Sequence, residues 1–266
     1  MTILTLSKHH GLGNDFLVVF SPEVDDLAGL ARRLCDRRRG VGADGLLVAS
    51  PVEGFDARMV LHNADGSRAE MSGNGIRCFA QALAARHGSL AAQRILTDAG
   101  ERVVTLTATD DPTVVLAAVD MGEVADLPEP GGWAALECDP MRPVRHLSLG
   151  NPHSVVAVDD VRVVDLAHLG SLVPHVNLEV VEPGPELHGI TMRVHERGAG
   201  ITEACGTGAC ASAWAARAWG LVPGSATEVV VHMDGGDATV RLHDPSPNRV
   251  TLVGPAQYVA TVQVEA

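Results

Sequence analysis

Lysine is almost missing from this 266-residue chain: Lys8 stands alone among twenty basic residues. A Schiff base to pyridoxal phosphate could therefore form at one position only. Clustered cations are also missing, since nothing beyond Arg37-Arg38-Arg39 forms a basic run and the formal charge is -13. Phosphate and anionic-lipid surfaces need such clusters, which argues against nucleic-acid and membrane partners and leaves a small molecule. No apolar run approaches about 18 residues, the length a spanning helix requires. From Met1 to Phe20, the residues Lys8, His9, His10, Gly11 and Asp15 interrupt any leader-like stretch, so no targeting signal is expected. Five cysteines, an odd number, argue against a disulfide framework and for reduced thiols in the cytoplasm. Cys205 and Cys210, with His153, His195 and Glu196, include no C-x-x-C or H-x-x-x-H spacing, so no metal is expected.

What the chain does contain is a phrase used twice. Glu70-Met71-Ser72-Gly73-Asn74-Gly75 precedes one Ala-rich stretch and Glu203-Ala204-Cys205-Gly206-Thr207-Gly208 precedes another, 133 positions later. Each copy puts a small residue with a proton-transfer atom before a Gly-x-Gly turn at the mouth of a helix. There, uncommitted backbone N–H groups and the positive end of the helix dipole favour a carboxylate. The pairing suggests one site shared by two half-molecules of about 130 residues. At a helix N-terminus Cys205 is expected to be an acidified, reactive thiol, whereas mid-helix Cys78 reads as core.

Short β-rich runs bounded by Gly, Asp and Pro fill both halves, from Ile3 to Ser7 through Ala256 to Val264. Leu27 to Arg37 reads as a surface helix. Ile76 to His87 and Ala209 to Trp219 read as interior helices, the second with almost no polar face, so each half should wrap strands around its helix. The chain is expected to cross between halves near Asp110 to Gly122. Gly40-Val41-Gly42-Ala43-Asp44-Gly45 fits the dinucleotide spacing by letters, but arginines precede it and a strand-like run follows, so it reads as a turn.

Seven ordered blocks carry a more specific message: His10-Gly11-Leu12-Gly13-Asn14-Asp15-Phe16, Gly42-Ala43-Asp44-Gly45, Asn63-Ala64-Asp65-Gly66-Ser67, Gly73-Asn74-Gly75-Ile76-Arg77-Cys78, Gly150-Asn151-Pro152-His153, Glu196-Arg197-Gly198 and Ala204-Cys205-Gly206-Thr207-Gly208. Together they closely resemble the diaminopimelate epimerase family. The resemblance implies an α+β fold of two pseudo-symmetric domains, each a curled, mostly antiparallel sheet around a central helix. The N-terminal half would span 1–114, to which 256–266 can return, and the C-terminal half 115–255. It also implies a cofactor-independent homodimer that interconverts LL- and meso-diaminopimelate, for lysine and peptidoglycan precursors, by proton transfer on both faces of the α-carbon. Carried over by position, Cys205 is one base with Glu196 as its proton partner, and His153 serves the other. Asn14, Asn63, Asn151, Asn177, Glu196 and Arg197 would bind the distal amino-acid end, and Gly73, Asn74, Gly206 and Thr207 would present N–H groups to the reacting carboxylate.

Two positions depart from the family pattern. Where the family has a second cysteine this chain has Ser72, whose hydroxyl needs a neighbouring base. Where many relatives carry glutamine it has Gly45. Three accounts of Ser72 stay open: an engineered Cys-to-Ser inactive epimerase, a natural variant that uses Ser72 with His153 for one face, or a relative doing one-base chemistry such as elimination or isomerisation. The alternative function is a related racemase or dehydratase of another amino acid using a Ser/Cys pair. A catalytically silent amino-acid-binding protein is a further alternative.

Overall fold

The computed structural model describes residues 3–244 and 246–265 and divides the chain into two compact units. The first comprises the described residues of Met1–Val119 and Gly254–Ala266, the second Asp120–Val253. The chain leaves the first unit within the strand Val114–Glu123 and re-enters it within the strand Arg249–Glu265.

The first unit opens with the hairpin Ile3–Gly11 and Asn14–Phe20, paired from Leu6↔Val19 to Gly11↔Asn14. Leu12 and Gly13 form its two-residue turn, both at positive φ, the conformation that matches the twist of the strands. Helix α1 (Leu27–Cys35) then carries the chain to Gly45–Ser50, which lies parallel to Asn14–Phe20. Ala57–Asn63 pairs antiparallel to Gly45–Ser50, and the short strand Arg68–Ala69 leads into helix α2 (Gly73–His87). Gln93–Thr97 returns parallel to Ala57–Asn63, and Gly100–Ala108 and Val114–Glu123 follow in antiparallel order.

The second unit repeats this course. The hairpin Val144–Ser148 and Pro152–Ala157 comes first, then helix α3 (Leu166–Leu172) crosses to Asn177–Pro183, parallel to Pro152–Ala157. Gly189–Glu196 pairs antiparallel to it, Gly200–Thr202 leads into helix α4 (Gly206–Trp219), and Glu228–Met233 returns parallel to Gly189–Glu196. Gly236–Leu242 and Arg249–Glu265 complete the antiparallel series. Each unit is thus a mostly antiparallel sheet with one enclosed helix.

The enclosed helices explain their composition. In α2, Gly73 to Ala84 are all buried, and in α4 only Trp214, Arg217, Ala218 and Trp219 escape full burial. Five buried alanines in α4 let strands approach on every side; a larger side chain at Ala213, which is fully buried, would overpack by about 1–3 kcal/mol. Gly88 and Gly220, both left-handed, stop the two helices.

Three details differ from the sequence reading. The glycines of both Gly-x-Gly segments already belong to the first helical turn, because Ser72 and Cys205 cap the backbone N–H three residues on. Gln93–Thr97 and α3 have no counterpart in the runs read from the sequence, being short and partly polar. Arg249 to Val253 and Ala256 to Val264, which read as two runs in the sequence, are one strand, Arg249–Glu265, interrupted neither by Gly254 nor by Pro255. The buried Arg77 guanidinium packs against Gly254 and takes the Pro255 carbonyl at 3.2 Å, which holds this stretch in line.

Candidate active site

In the first unit, Ser72 is the N-cap of α2. Its backbone is extended (φ -134°, ψ 127°) and its Oγ accepts the Gly75 N–H at 3.0 Å. Gly73 and Asn74 occupy the first helical positions, where N–H groups have no intrahelical acceptor. The Asn74 amide nitrogen donates to Asn14 Oδ1 at 3.3 Å, Asn14 donates to Asp44 at 2.7 Å, and Arg77 donates to Asn74 Oδ1 at 2.8 Å. Asn14, Asn74 and the helix mouth are therefore one hydrogen-bonded group. Asn63 stands apart from this chain of bonds: it is exposed and donates to Ser67 Oγ at 3.0 Å.

Behind Asn14 lies an ion-pair knot. Asp15 receives Arg37 through both oxygens, at 2.7 and 3.2 Å, and Lys8 at 2.9 Å, while Lys8 also donates to the Gly42 carbonyl at 2.7 Å. The only lysine is thereby committed to the loop before Gly45. That loop runs into the strand Gly45–Ser50, not into a helix, so it lacks the geometry of a dinucleotide turn. Gly45 has no room for a side chain: a Cβ there would meet the His62 carbonyl oxygen at 2.9 Å and Phe16 at 3.2 Å.

The second unit builds a matching mouth. Cys205 caps α4 with φ -124° and ψ 113°, and its Sγ accepts the Gly208 N–H at 3.3 Å. Thr207 Oγ1 lies 3.5 Å from Sγ and accepts the Asn151 amide at 3.2 Å. Asn151 Oδ1 lies 3.1 Å from His153 Nε2, and His153 Nδ1 lies 2.6 Å from Glu179 Oε1. Asn177, next on the same strand face as Glu179, donates to the Pro152 carbonyl at 3.1 Å and accepts the Arg197 N–H at 2.8 Å. Glu196 accepts from Thr202 Oγ1, and the Arg197 side chain is exposed. The residues expected in this half thus lie in the turn at Asn151, on the adjacent strands that carry His153 and Asn177, at the Glu196–Arg197 corner, and at the N-cap and first turn of α4.

The electrostatics correct one expectation. Burial pushes the Cys205 thiol well above its ordinary value, and the Glu196 and Glu179 carboxylates push it further; the bonds from Thr207 and Gly208 oppose this and lose. The helix terminus therefore does not make Cys205 a resting thiolate; it is held as the thiol. Burial likewise raises Glu179, opposed by its contact with His153. Cys78, buried in α2, is raised to about 12 by desolvation, in keeping with a core residue. Among the described residues, no group of three or more His, Cys, Asp or Glu side chains is placed to hold a metal ion, and no helix is long and apolar enough to cross a membrane.

The diaminopimelate epimerase family model matches residues 6–126 and 146–259. The chain belongs to the diaminopimelate epimerase family. It is 38% identical to the diaminopimelate epimerase of Desulfitobacterium hafniense over 281 residues, covering 96% of each chain. It is 40% identical to that of Magnetococcus marinus, covering 95% of this chain and 94% of the relative. Among solved structures, a phenazine biosynthesis protein of the PhzF family from Bacillus anthracis aligns over the whole of both chains with a TM-score of 0.78 and 16% identity, a likeness of fold alone.

Two residues of this family member's site escaped the sequence reading. Glu179 interrupts the apolar run Leu178, Val180, Val181, and a carboxylate in a buried strand was a legible signal. Arg77 is also fully buried, the one charged side chain among the buried positions of α2, where Asn74 and Gln81 are the other polar ones.

Proposed function

We propose that the chain interconverts LL- and meso-diaminopimelate by moving a proton at one α-carbon, without a cofactor. The observation that carries this reading is the pair of capped helix mouths, Ser72 on α2 and Cys205 on α4, each with an ionisable or hydroxylic atom beside N–H donors suited to a carboxylate. Gly73, Asn74, Gly206 and Thr207 would hold the carboxylate at the reacting carbon. Hydrogen bonds there strengthen as negative charge develops, which lowers the barrier to removing a weakly acidic proton. Asn14, Asn63, Asn151, Asn177, Glu196 and Arg197 would recognise the distal amino-acid end, Arg197 by a two-pronged grip on its carboxylate.

Cys205 must lose its proton before it can accept one. Glu196 is assigned that proton, and the substrate's ammonium group would offset the carboxylates that now oppose ionisation. The α-proton then passes to sulfur, the electron pair stays on carbon, and a proton from the other side completes the inversion. Ser72 is assigned this opposite face: its hydroxyl gives the proton to carbon while His153, in the role the resemblance gives it, returns one to the oxygen, and in the reverse direction His153 takes that proton as the base. Commitment of Lys8 to Asp15 and Gly42 supports a route without pyridoxal. Placement in the cytoplasm is supported by five cysteines without a disulfide. Assembly as a homodimer rests on the family resemblance.

Incubating the protein with LL-diaminopimelate and with a panel of other α-amino acids, then separating stereoisomers, tests the substrate. Conversion of diaminopimelate alone is expected; preferential conversion of another amino acid would replace this reading with that of a related racemase.

A further inference from the structure

Glu179 is a costly residue that packing does not explain. It is fully buried on the strand Asn177–Pro183, and its Oε2 has no hydrogen-bond partner among the described residues. A buried carboxyl with an unused oxygen destabilises a fold relative to an apolar side chain of similar size. The surroundings are nevertheless shaped to admit it. A Cβ on Gly208, in the first turn of α4, would come within 2.7 Å of Glu179 Oε1, so the carboxyl lies against the helix mouth where only glycine leaves room.

Its partner is His153, also buried, and the 2.6 Å contact engages Nδ1. With Nδ1 so occupied, Nε2 is the ring nitrogen directed at Asn151, and the chain continues through Thr207 to the Cys205 sulfur. The donors can all point one way. An imidazolium gives Nδ1–H to Glu179 and Nε2–H to Asn151 Oδ1, Asn151 gives N–H to Thr207, and Thr207 gives O–H to sulfur. That ordering makes the Cys205 sulfur the last acceptor.

From this geometry we infer that Glu179 is a positioning residue: it fixes His153 with Nδ1 protonated, so that Nε2 alone exchanges a proton, and it orders the hydrogen-bonded chain ending at Cys205. The inference rests on the role given to His153 above. The charged or titratable groups facing the pair are Cys205 at the mouth of α4 and Glu196 at the end of Gly189–Glu196, both of which interact with it electrostatically.

The test is nitrogen NMR of histidine-labelled protein together with kinetics of Glu179→Gln. In the unsubstituted protein, the His153 ring should show a protonated Nδ1 across the range in which the enzyme works. In Glu179→Gln that pinning should be lost, kcat should fall about 10- to 100-fold, less than loss of an acid–base group itself, KM should change little, and the pH profile of kcat should shift. A purely structural role would lower the melting temperature and leave the profile in place. An unprotonated Nδ1 in the unsubstituted protein, or wild-type kcat and pH profile in Glu179→Gln, overturns the inference. Should the variant fail to fold, the ring signal of the unsubstituted protein decides. His153→Gln with undiminished turnover would instead overturn the role of His153, whatever the ring signal shows.

Discussion

Replacing Ser72 with cysteine should raise turnover at little cost to the fold. The two helix caps provide the comparison: Ser72 Oγ accepts the Gly75 N–H at 3.0 Å, and Cys205 Sγ accepts the Gly208 N–H at 3.3 Å. A thiol in this cap geometry thus already exists in the same chain. Removing a serine cap entirely costs about 1 kcal/mol, and a sulfur that keeps a longer bond costs less. The melting temperature should accordingly fall by no more than about 2–4 °C. On the chemical side, an unperturbed thiol titrates near about 8.5, far closer to neutrality than a serine hydroxyl. A well-placed acid or base contributes about 10²–10⁴-fold, so a gain of at least about 10²-fold in kcat is expected. The assay pairs a thermal melt with chromatographic conversion of LL- to meso-diaminopimelate. A folded Ser72→Cys protein with no gain would show that the hydroxyl is native to the chemistry and that the two-thiol reasoning is wrong.

Other perturbations read different parts of the structure. Gly45→Gln should destabilise by about 1–3 kcal/mol because its Cβ meets the His62 carbonyl at 2.9 Å, and an unchanged melting temperature would refute that packing. Burial pushes the Asp15 carboxyl up, but the bonds and charges of Arg37 and Lys8 outweigh it and hold the group below its usual value. A depressed folded-state value contributes stability above the unfolded value, about 3.9, and loses it as pH falls through the folded one. The stability gap between the protein and Asp15→Asn, measured by urea unfolding, should therefore be full near neutrality and close below about pH 4; a gap independent of pH would contradict the ion-pair account. Alkylation followed by mass spectrometry should find Cys78 inert at neutral pH. It should also find Cys205 slow but accelerated in Glu196→Gln, since removing a carboxylate favours the thiolate; no acceleration would remove Glu196 from the electrostatics of the thiol.

The repeated helix mouths were readable because capping chemistry is local: a small polar side chain before Gly-x-Gly needs only its own next three residues. The interior helices were readable from alanine-rich stretches without a polar face. Long-range causes were not. The run from Arg249 to Glu265 looks like two strands until Arg77, 178 positions before Pro255, is seen holding the join. The acidity of Cys205 was read with the wrong sign, because helix polarity is visible in sequence whereas burial and the approach of Glu196 and Glu179 are not. The course of the second unit, from the hairpin through α3 to the enclosed α4, repeats the first with few shared residues, so the repeat showed only at its two most constrained points.

The most direct measurement is deuterium incorporation at the α-carbon of diaminopimelate in heavy water, followed by NMR, in the unsubstituted protein and in Cys205→Ala. The account predicts incorporation in the first and its loss in the second, with the fold retained. Exchange that persists undiminished without the Cys205 thiol would contradict it.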